Sequence, residues 1–194
     1  MRIVVVFHSV CGNTYLMAKA FSDSLSGEGR EVSLLRVRDD SWQWQADVPE
    51  ESKQVLEQMQ SVPLVTPEDM LEADLVVLGS PTYFGNVSAQ MKTFMDETAK
   101  FWFHARYAGK KMGAFTSAGN PEGGGDLCLQ ALHTYAKYMG MLAVPVPVNL
   151  VEGMNIPVYG IIHYSYASYG KSLDERLISA IERYSKVLLS HIDK

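Results

Sequence analysis

Three short stretches of the sequence combine hydroxyl, glycine and aromatic residues, and each follows an apolar run typical of a buried strand. The first comprises Ser9, Val10, Cys11, Gly12, Asn13 and Thr14. Its hydroxyl groups can donate hydrogen bonds, and its glycine and asparagine allow successive backbone N–H groups to turn inward. At the start of a helix such donors form an anion site. Because the stretch contains no Lys or Arg, a phosphate bound there would be held by neutral donors.

The second stretch offers flat apolar surfaces. It comprises Pro81, Thr82, Tyr83, Phe84 and Gly85. Aromatic rings stack favourably on a planar heterocycle, by roughly 1 kcal/mol beyond simple burial, and glycine lets a backbone approach such a ring closely. From the sequence alone, packing of the two aromatic side chains against the next helix is an equally good interpretation.

The third stretch is rich in glycine. It begins with Ser117, Ala118, Gly119 and Asn120 and continues to residue 126, with four glycines among its ten residues. Glycines expose backbone N–H and C=O groups at low steric cost, so the stretch could bond the polar edge of a flat ligand. The alternative is a flexible linker to the next helix.

Several other chemistries are excluded by missing residues. There is no G-x-G-x-x-G after the first apolar run and no GK[ST], so the dinucleotide and P-loop motifs are absent. A cysteine phosphatase needs an Arg six positions after its nucleophile, but Met17 stands six positions after Cys11. We therefore interpret Cys11 as a loop residue without a catalytic role. The five histidines are scattered without metal-ligand spacing, so no metal site is expected.

Apolar runs and helical periodicity alternate along the chain. Strands are predicted at residues 3–7, 31–37, 75–79, 111–117 and 141–148, with helices between them and a closing helix at residues 172–192. This alternation predicts one α/β domain over residues 1–194, with a parallel sheet covered on both faces. Residues 42–49 are predicted to be irregular, and residues 152–171 to form a long ordered excursion over the sheet edge. The loops after strands one, three and four then lie at one edge of the sheet, where ligands bind in such folds.

The composition limits the class of partner and the compartment. Hydrophobic residues make up 47% of the chain and charged residues 20%, which is typical of a packed globular protein. The net charge is −5 and no basic tract is present, so nucleic-acid binding is not expected. Cys11 and Cys128 are interpreted as free thiols in a reducing cytoplasm. No apolar stretch is long enough to span a bilayer, and a cytoplasmic location is expected.

One stretch resembles a known family closely. Residues 79–98, GSPTYFGNVSAQMKTFMDET, resemble the P-T-R-F-G-N-x-S-G-Q-M-K-x-F-x-D motif of the tryptophan-repressor-binding-protein family, whose members are NAD(P)H:quinone oxidoreductases. The first and third stretches match more loosely, and the resemblance extends over nearly the whole chain. It implies a three-layer, doubly wound flavodoxin-like fold with five parallel strands in the order 2-1-3-4-5.

The resemblance also implies a cofactor and an activity. FMN would be held through its phosphate by residues 9–14, and its ring would lie between residues 81–85 and residues 117–120. Electrons would pass from NAD(P)H to a quinone or flavin in ping-pong order. Trp102 matches a tryptophan that reaches into the flavin pocket of a neighbouring subunit, so a homo-oligomer, dimer or tetramer, is implied. Otherwise Trp102 is a packing residue.

The chain departs from the family pattern in three places. Tyr83 replaces the arginine of the motif, and two residues, Pro121 and Glu122, are additional in the third stretch. Met139 stands at the position of the family's active-site histidine; the nearest histidine, His133, is interpreted as structural. Two alternatives therefore stay open: a flavodoxin-type electron carrier without its own substrate, and an interaction protein that has lost the flavin.

Overall fold

The computed structural model describes residues 1–41 and 48–192 and contains a parallel sheet between helices. The strands are β1 (Arg2–Phe7), β2 (Glu31–Arg36), β3 (Leu75–Pro81), β4 (Lys111–Ala118), β5 (Leu142–Ala143) and β6 (Ile161–Tyr164). The helices are α1 (Asn13–Leu25), α2 (Glu50–Ser61), α3 (Ala89–Glu97), α4 (Ala99–Trp102), α5 (Gly125–Tyr138) and α6 (Glu175–Ser190). An irregular stretch was predicted at residues 42–49. Residues 42–47 of it lie outside the described residues.

The sheet order is β2-β1-β3-β4-β5, with β6 beside β4. This confirms the predicted order 2-1-3-4-5. Apolar residues occupy both faces of β1, because a parallel sheet is covered by helices on each side. Val5 and Phe7 face one core with α1 and α6, whereas Val4 and Val6 face a second core with α3 and α5. The three predicted layers are therefore present.

The fifth strand is the main correction to the prediction. A strand at residues 141–148 was expected, but β5 contains only Leu142 and Ala143, paired with the start of β4. Pro145 and Pro147 have no backbone N–H to donate to a ladder, so the strand cannot continue. The chain leaves the sheet and returns as β6, which pairs with the end of β4. The excursion predicted at residues 152–171 thus contains a strand, β6, that was not predicted.

Strand register brings the three polar stretches together. Phe7 at the end of β1 pairs with Gly79, and Pro81 at the end of β3 pairs with Ser117. All three βα connections consequently start at the same edge of the sheet. No helix among the described residues is long and apolar enough to cross a membrane.

Candidate functional site

A cavity of about 430 Å³ opens at this edge of the sheet. Its walls are formed by the three stretches together with a segment that follows β6. The lining residues are Ser9, Val10, Cys11, Asn13, Thr14, Pro81, Thr82, Tyr83, Ser117, Ala118, Gly119, Ser165, Ala167 and Ser168. None of them is a Lys or Arg, so within the described part of the chain the cavity wall carries only neutral side chains.

Loop 1, residues 8–12, leads directly into α1. Gly12 occupies the N-cap position with a φ of 86°, a left-handed conformation that favours glycine. No side chain caps the helix and no acidic residue lies in its first turn, so neither neutralises the positive end of the helix dipole. Asn13 and Thr14, the first two residues of α1, line the cavity. The Ser9 hydroxyl is buried and has no hydrogen-bond partner. An uncapped helix start beside an unpartnered buried hydroxyl provides donors for an anion.

Hydroxyl groups link the three stretches. Thr14 Oγ1 lies 2.7 Å from Ser117 Oγ, which joins loop 1 to the end of β4. Thr82 donates its backbone N–H to the Ser117 carbonyl at 2.7 Å, and its hydroxyl lies 2.8 Å from that of Thr116. These contacts hold the floor of the cavity in one geometry.

Loop 2, residues 82–88, carries a tight turn at the cavity rim. Tyr83 and Asn86 exchange two backbone hydrogen bonds of 2.9 Å. Between them, Phe84 and Gly85 have φ values of 50° and 72°, as in a type I′ turn. The Phe84 ring is fully exposed and Tyr83 is half exposed, so the rim presents flat apolar surface to solvent. Burial raises the pKa of the Tyr83 hydroxyl, and Cys11 and Asp39 raise it further, which keeps the hydroxyl protonated.

Five residues predicted for the site do not line the cavity. Gly12, the last residue of loop 1, packs against α2, where an added Cβ would meet Val55 Cγ1 at 2.9 Å. The Phe84 ring points into solvent, and Gly85 packs against the third stretch. Asn120 precedes a 3₁₀ turn. Trp102 is half exposed on the surface, where Nε1 donates to the Tyr138 carbonyl at 2.9 Å.

His8, the first residue of loop 1, forms a buried pair with Asp39. His8 Nε2 donates to Asp39 Oδ2 at 3.1 Å, and Asp39 also accepts hydrogen bonds from Ser41 and Gln90. Burial lowers the pKa of His8 despite the opposing effect of this hydrogen bond. Burial alone would raise the pKa of Asp39, but its three hydrogen-bond partners hold it below the usual value. A neutral imidazole thus faces an ionised carboxylate.

Comparison with known proteins identifies the family. The profile of the family described as NADPH-dependent FMN reductase matches residues 1–154. The chain belongs to this family. A relative from Archaeoglobus fulgidus named NAD(P)H dehydrogenase (quinone) is 36% identical over 149 residues, which cover 75% of this chain and 76% of the relative. One of the same name from Acidithiobacillus ferrooxidans is 32% identical over 185 residues, covering 93% and 89%.

Solved structures agree on the fold. A flavodoxin described as WrbA-like from Agrobacterium tumefaciens has a TM-score of 0.66 at 24% identity and covers 98% of this chain and 96% of its own. A flavodoxin from the domain Archaea has a TM-score of 0.64 at 20% identity and covers all of both chains. The predictions of a flavodoxin-like fold, an FMN cofactor and an NAD(P)H-dependent oxidoreductase are confirmed at the level of the FMN reductase family.

The loop 1 region of this FMN reductase family member fits a flavin phosphate. The unpartnered Ser9 hydroxyl and the uncapped start of α1 supply donors, and the cavity above them is open. His133, by contrast, points away from this region, because Nε2 donates to the Tyr159 carbonyl at 2.6 Å and the two rings pack edge to face. That contact supports the structural role predicted for His133. No group of three metal-ligating side chains occurs among the described residues.

The sequence did not point to the segment after β6 as part of the site. Ser165, Ala167 and Ser168 line the cavity, yet the sequence predicted only an ordered excursion there. Their small polar composition, similar to that of loop 1, is the one signal that could have indicated a ligand contact.

Proposed function

We propose that the chain is an FMN-dependent oxidoreductase that passes electrons from NAD(P)H to a quinone or a similar flat acceptor. The observation that carries the proposal is the unpartnered Ser9 hydroxyl beside the uncapped helix start, at the base of an open cavity. The relatives named NAD(P)H dehydrogenase (quinone) support the choice of donor and acceptor. Bound FMN supplies the electron transfer between nicotinamide and quinone.

The residues have separate tasks at the two ends of the cofactor. We assign residues 9–14 to the phosphate, with Ser9 and the first backbone N–H groups of α1 as donors. Residues 81–85 and 117–120 are assigned to the two sides of the ring. The backbone of the third stretch would bond the polar edge of the ring, and Tyr83, which lines the cavity, would shield part of its face from water.

The acceptor site is proposed to need a second copy of the chain. Trp102 and its neighbour Phe103 form an exposed aromatic pair with ring centroids 4.9 Å apart. Trp102 also bonds the backbone carbonyl of Tyr138, whose side chain is exposed as well. Such a patch is typical of a protein–protein contact, and Trp102 would then reach the flavin of a neighbouring subunit. A homo-oligomer, dimer or tetramer, is proposed on this basis. A cytoplasmic location is proposed because the sequence holds only two cysteines, far apart along the chain, which is too few for a disulfide framework. No nucleic-acid partner is proposed.

Flavin absorbance under exclusion of oxygen tests the function. The purified protein, loaded with FMN, is expected to lose its absorbance near the flavin maximum when NADPH or NADH is added and to regain it when benzoquinone follows. A protein that binds FMN but is not bleached by either nicotinamide would be an electron carrier. A protein that fails to bind FMN would refute the cofactor assignment altogether.

A further inference from the structure

The segment between β6 and α6 closes over loop 1. We call it the clasp; it comprises Ser165, Tyr166, Ala167, Ser168, Tyr169 and Gly170. It begins with a tight turn, because Ser168 donates its backbone N–H to the Ser165 carbonyl at 2.9 Å. The two central residues, Tyr166 and Ala167, have φ values of 49° and 60°. Non-glycine residues rarely adopt this conformation, so contacts outside the turn must hold it.

Hydrogen bonds at both ends of the clasp anchor it to the cavity walls. Gly170 donates its backbone N–H to the Cys11 carbonyl at 2.7 Å. Asn13 Nδ2 donates to the Ser168 carbonyl, also at 2.7 Å. At the other end of the clasp, the backbone N–H of Ser165 bonds the Ala118 carbonyl at 2.9 Å. The bonds to Cys11 and Asn13 therefore tie the clasp to residues assigned to the phosphate.

The contact at Gly170 leaves no space for a side chain. A Cβ built on Gly170 would lie 2.7 Å from the Gly12 carbonyl carbon and 2.9 Å from the Asn13 nitrogen. Both obstacles are backbone atoms, which cannot rotate away as a side chain can. Any residue larger than glycine must consequently separate the clasp from loop 1.

We propose that the clasp is a fourth wall of the FMN site, and that its closure is coupled to occupation of loop 1 by the phosphate. The inference rests on the FMN site proposed above. A phosphate fixes the backbone of Gly12 and Asn13 in the arrangement to which the clasp binds. Coupling of this kind is reciprocal, so FMN stabilises the closed clasp, and a displaced clasp weakens FMN binding.

The first test displaces the clasp by one methyl group. Gly170→Ala is expected to raise the dissociation constant for FMN at least tenfold, measured by titration of the FMN-free protein with detection of flavin fluorescence. Gly27→Ala is the matched control. Gly27 lies at the opposite edge of the sheet, and its added Cβ would meet only the end of a flexible arginine side chain at 2.9 Å. This variant is expected to bind FMN within twofold of the wild type.

The second test uses hydrogen–deuterium exchange of the unaltered protein. FMN is expected to slow exchange in a peptide covering residues 165–170, whereas riboflavin, which lacks the phosphate, slows it far less. If the wild type binds FMN but exchange in the clasp is unchanged, or riboflavin protects it equally, the coupling is refuted while the proposed function stands. Tight FMN binding by Gly170→Ala refutes it as well. If that variant does not fold, the exchange measurement decides alone. If the wild type binds no FMN, the proposed function and the clasp fail together.

Discussion

Replacing Ser9 with alanine is expected to move stability and FMN affinity in opposite directions. The Ser9 hydroxyl is buried without a hydrogen-bond partner in the structure. An unsatisfied buried polar group costs about 1–3 kcal/mol. Ser9→Ala removes this group without creating a large cavity, so the FMN-free protein is expected to gain stability. For a chain of this length each 1 kcal/mol raises Tm by about 2–4 °C.

The expected change in FMN affinity depends on the same hydroxyl. If Ser9 donates to the phosphate, its loss removes a hydrogen bond to a charged group, worth roughly 1.5–3 kcal/mol. Since about 1.4 kcal/mol corresponds to a factor of ten, the dissociation constant for FMN is expected to rise by roughly 10- to 100-fold. The unsatisfied hydroxyl thus lowers the free energy of unfolding of the FMN-free protein, and FMN binding removes this loss.

Ser185 provides a matched control. Its hydroxyl is also buried without a partner, but it lies in α6 and not on the cavity. Ser185→Ala is expected to raise Tm by a similar amount and to leave FMN affinity unchanged. Thermal unfolding of the FMN-free proteins and fluorescence titration with FMN measure both quantities. If Ser9→Ala binds FMN as tightly as the wild type while Ser185→Ala behaves as expected, Ser9 does not hold the phosphate.

Four further predictions follow from the site. Gly12→Val places a side chain at a φ of 86° and within 2.9 Å of a core side chain; FMN retention on gel filtration should be lost while the circular dichroism spectrum is kept. Burial lowers the pKa of His8, His133 and His163 below the unfolded value of 6.5. The folded state then binds fewer protons than the unfolded state, so the urea midpoint should be constant above about pH 6.5 and fall below it; an unchanged midpoint at pH 5.5 would contradict this. Trp102→Ala should shift the sedimentation coefficient towards that of the monomer. An unchanged coefficient would show that the aromatic patch is not part of the interface. Because no cation lines the described cavity, the dissociation constant for FMN should change less than threefold between 50 and 500 mM NaCl, measured by the same titration; a tenfold rise would point to a charged phosphate contact.

The sheet and the three loops could be predicted from the sequence because each depends on a local pattern of residue types. An apolar run such as residues 3–7 can be buried on both faces only in a covered sheet, and loop composition marked the residues at the strand ends. Eleven of the predicted site residues line the cavity for this reason. The apolar residues that follow α5 also predicted a fifth strand, but its early end is set by Pro145 and Pro147, which have no backbone N–H for a ladder.

The clasp and β6 could not be predicted because their position depends on distant contacts. Ile161–Tyr164 is only four residues long, and what makes it a strand is its pairing with the end of β4. Positive φ values at Tyr166 and Ala167 have no sequence signature, since neither residue favours them. The His8–Asp39 pair likewise joins residues that are 31 positions apart. Gly170 was visible in the sequence, but its requirement for glycine arises from the loop 1 backbone that packs against it.

The residues that depart from the family motif lie in a different part of the structure from the proposed phosphate site. In the proposed site, phosphate binding depends on the Ser9 hydroxyl, on backbone N–H groups and on the packing of Gly12 against Gly170, so most other side chains nearby can change without altering it. The replacements for the motif arginine and the family histidine lie elsewhere: Tyr83 stands at the cavity rim, on the side proposed for the flavin ring, and Met139 is buried at the end of α5, outside the cavity lining. A substitution at the rim changes the charge and shape that an acceptor meets. The cofactor class can therefore be that of the family while the choice of acceptor differs from that of its relatives.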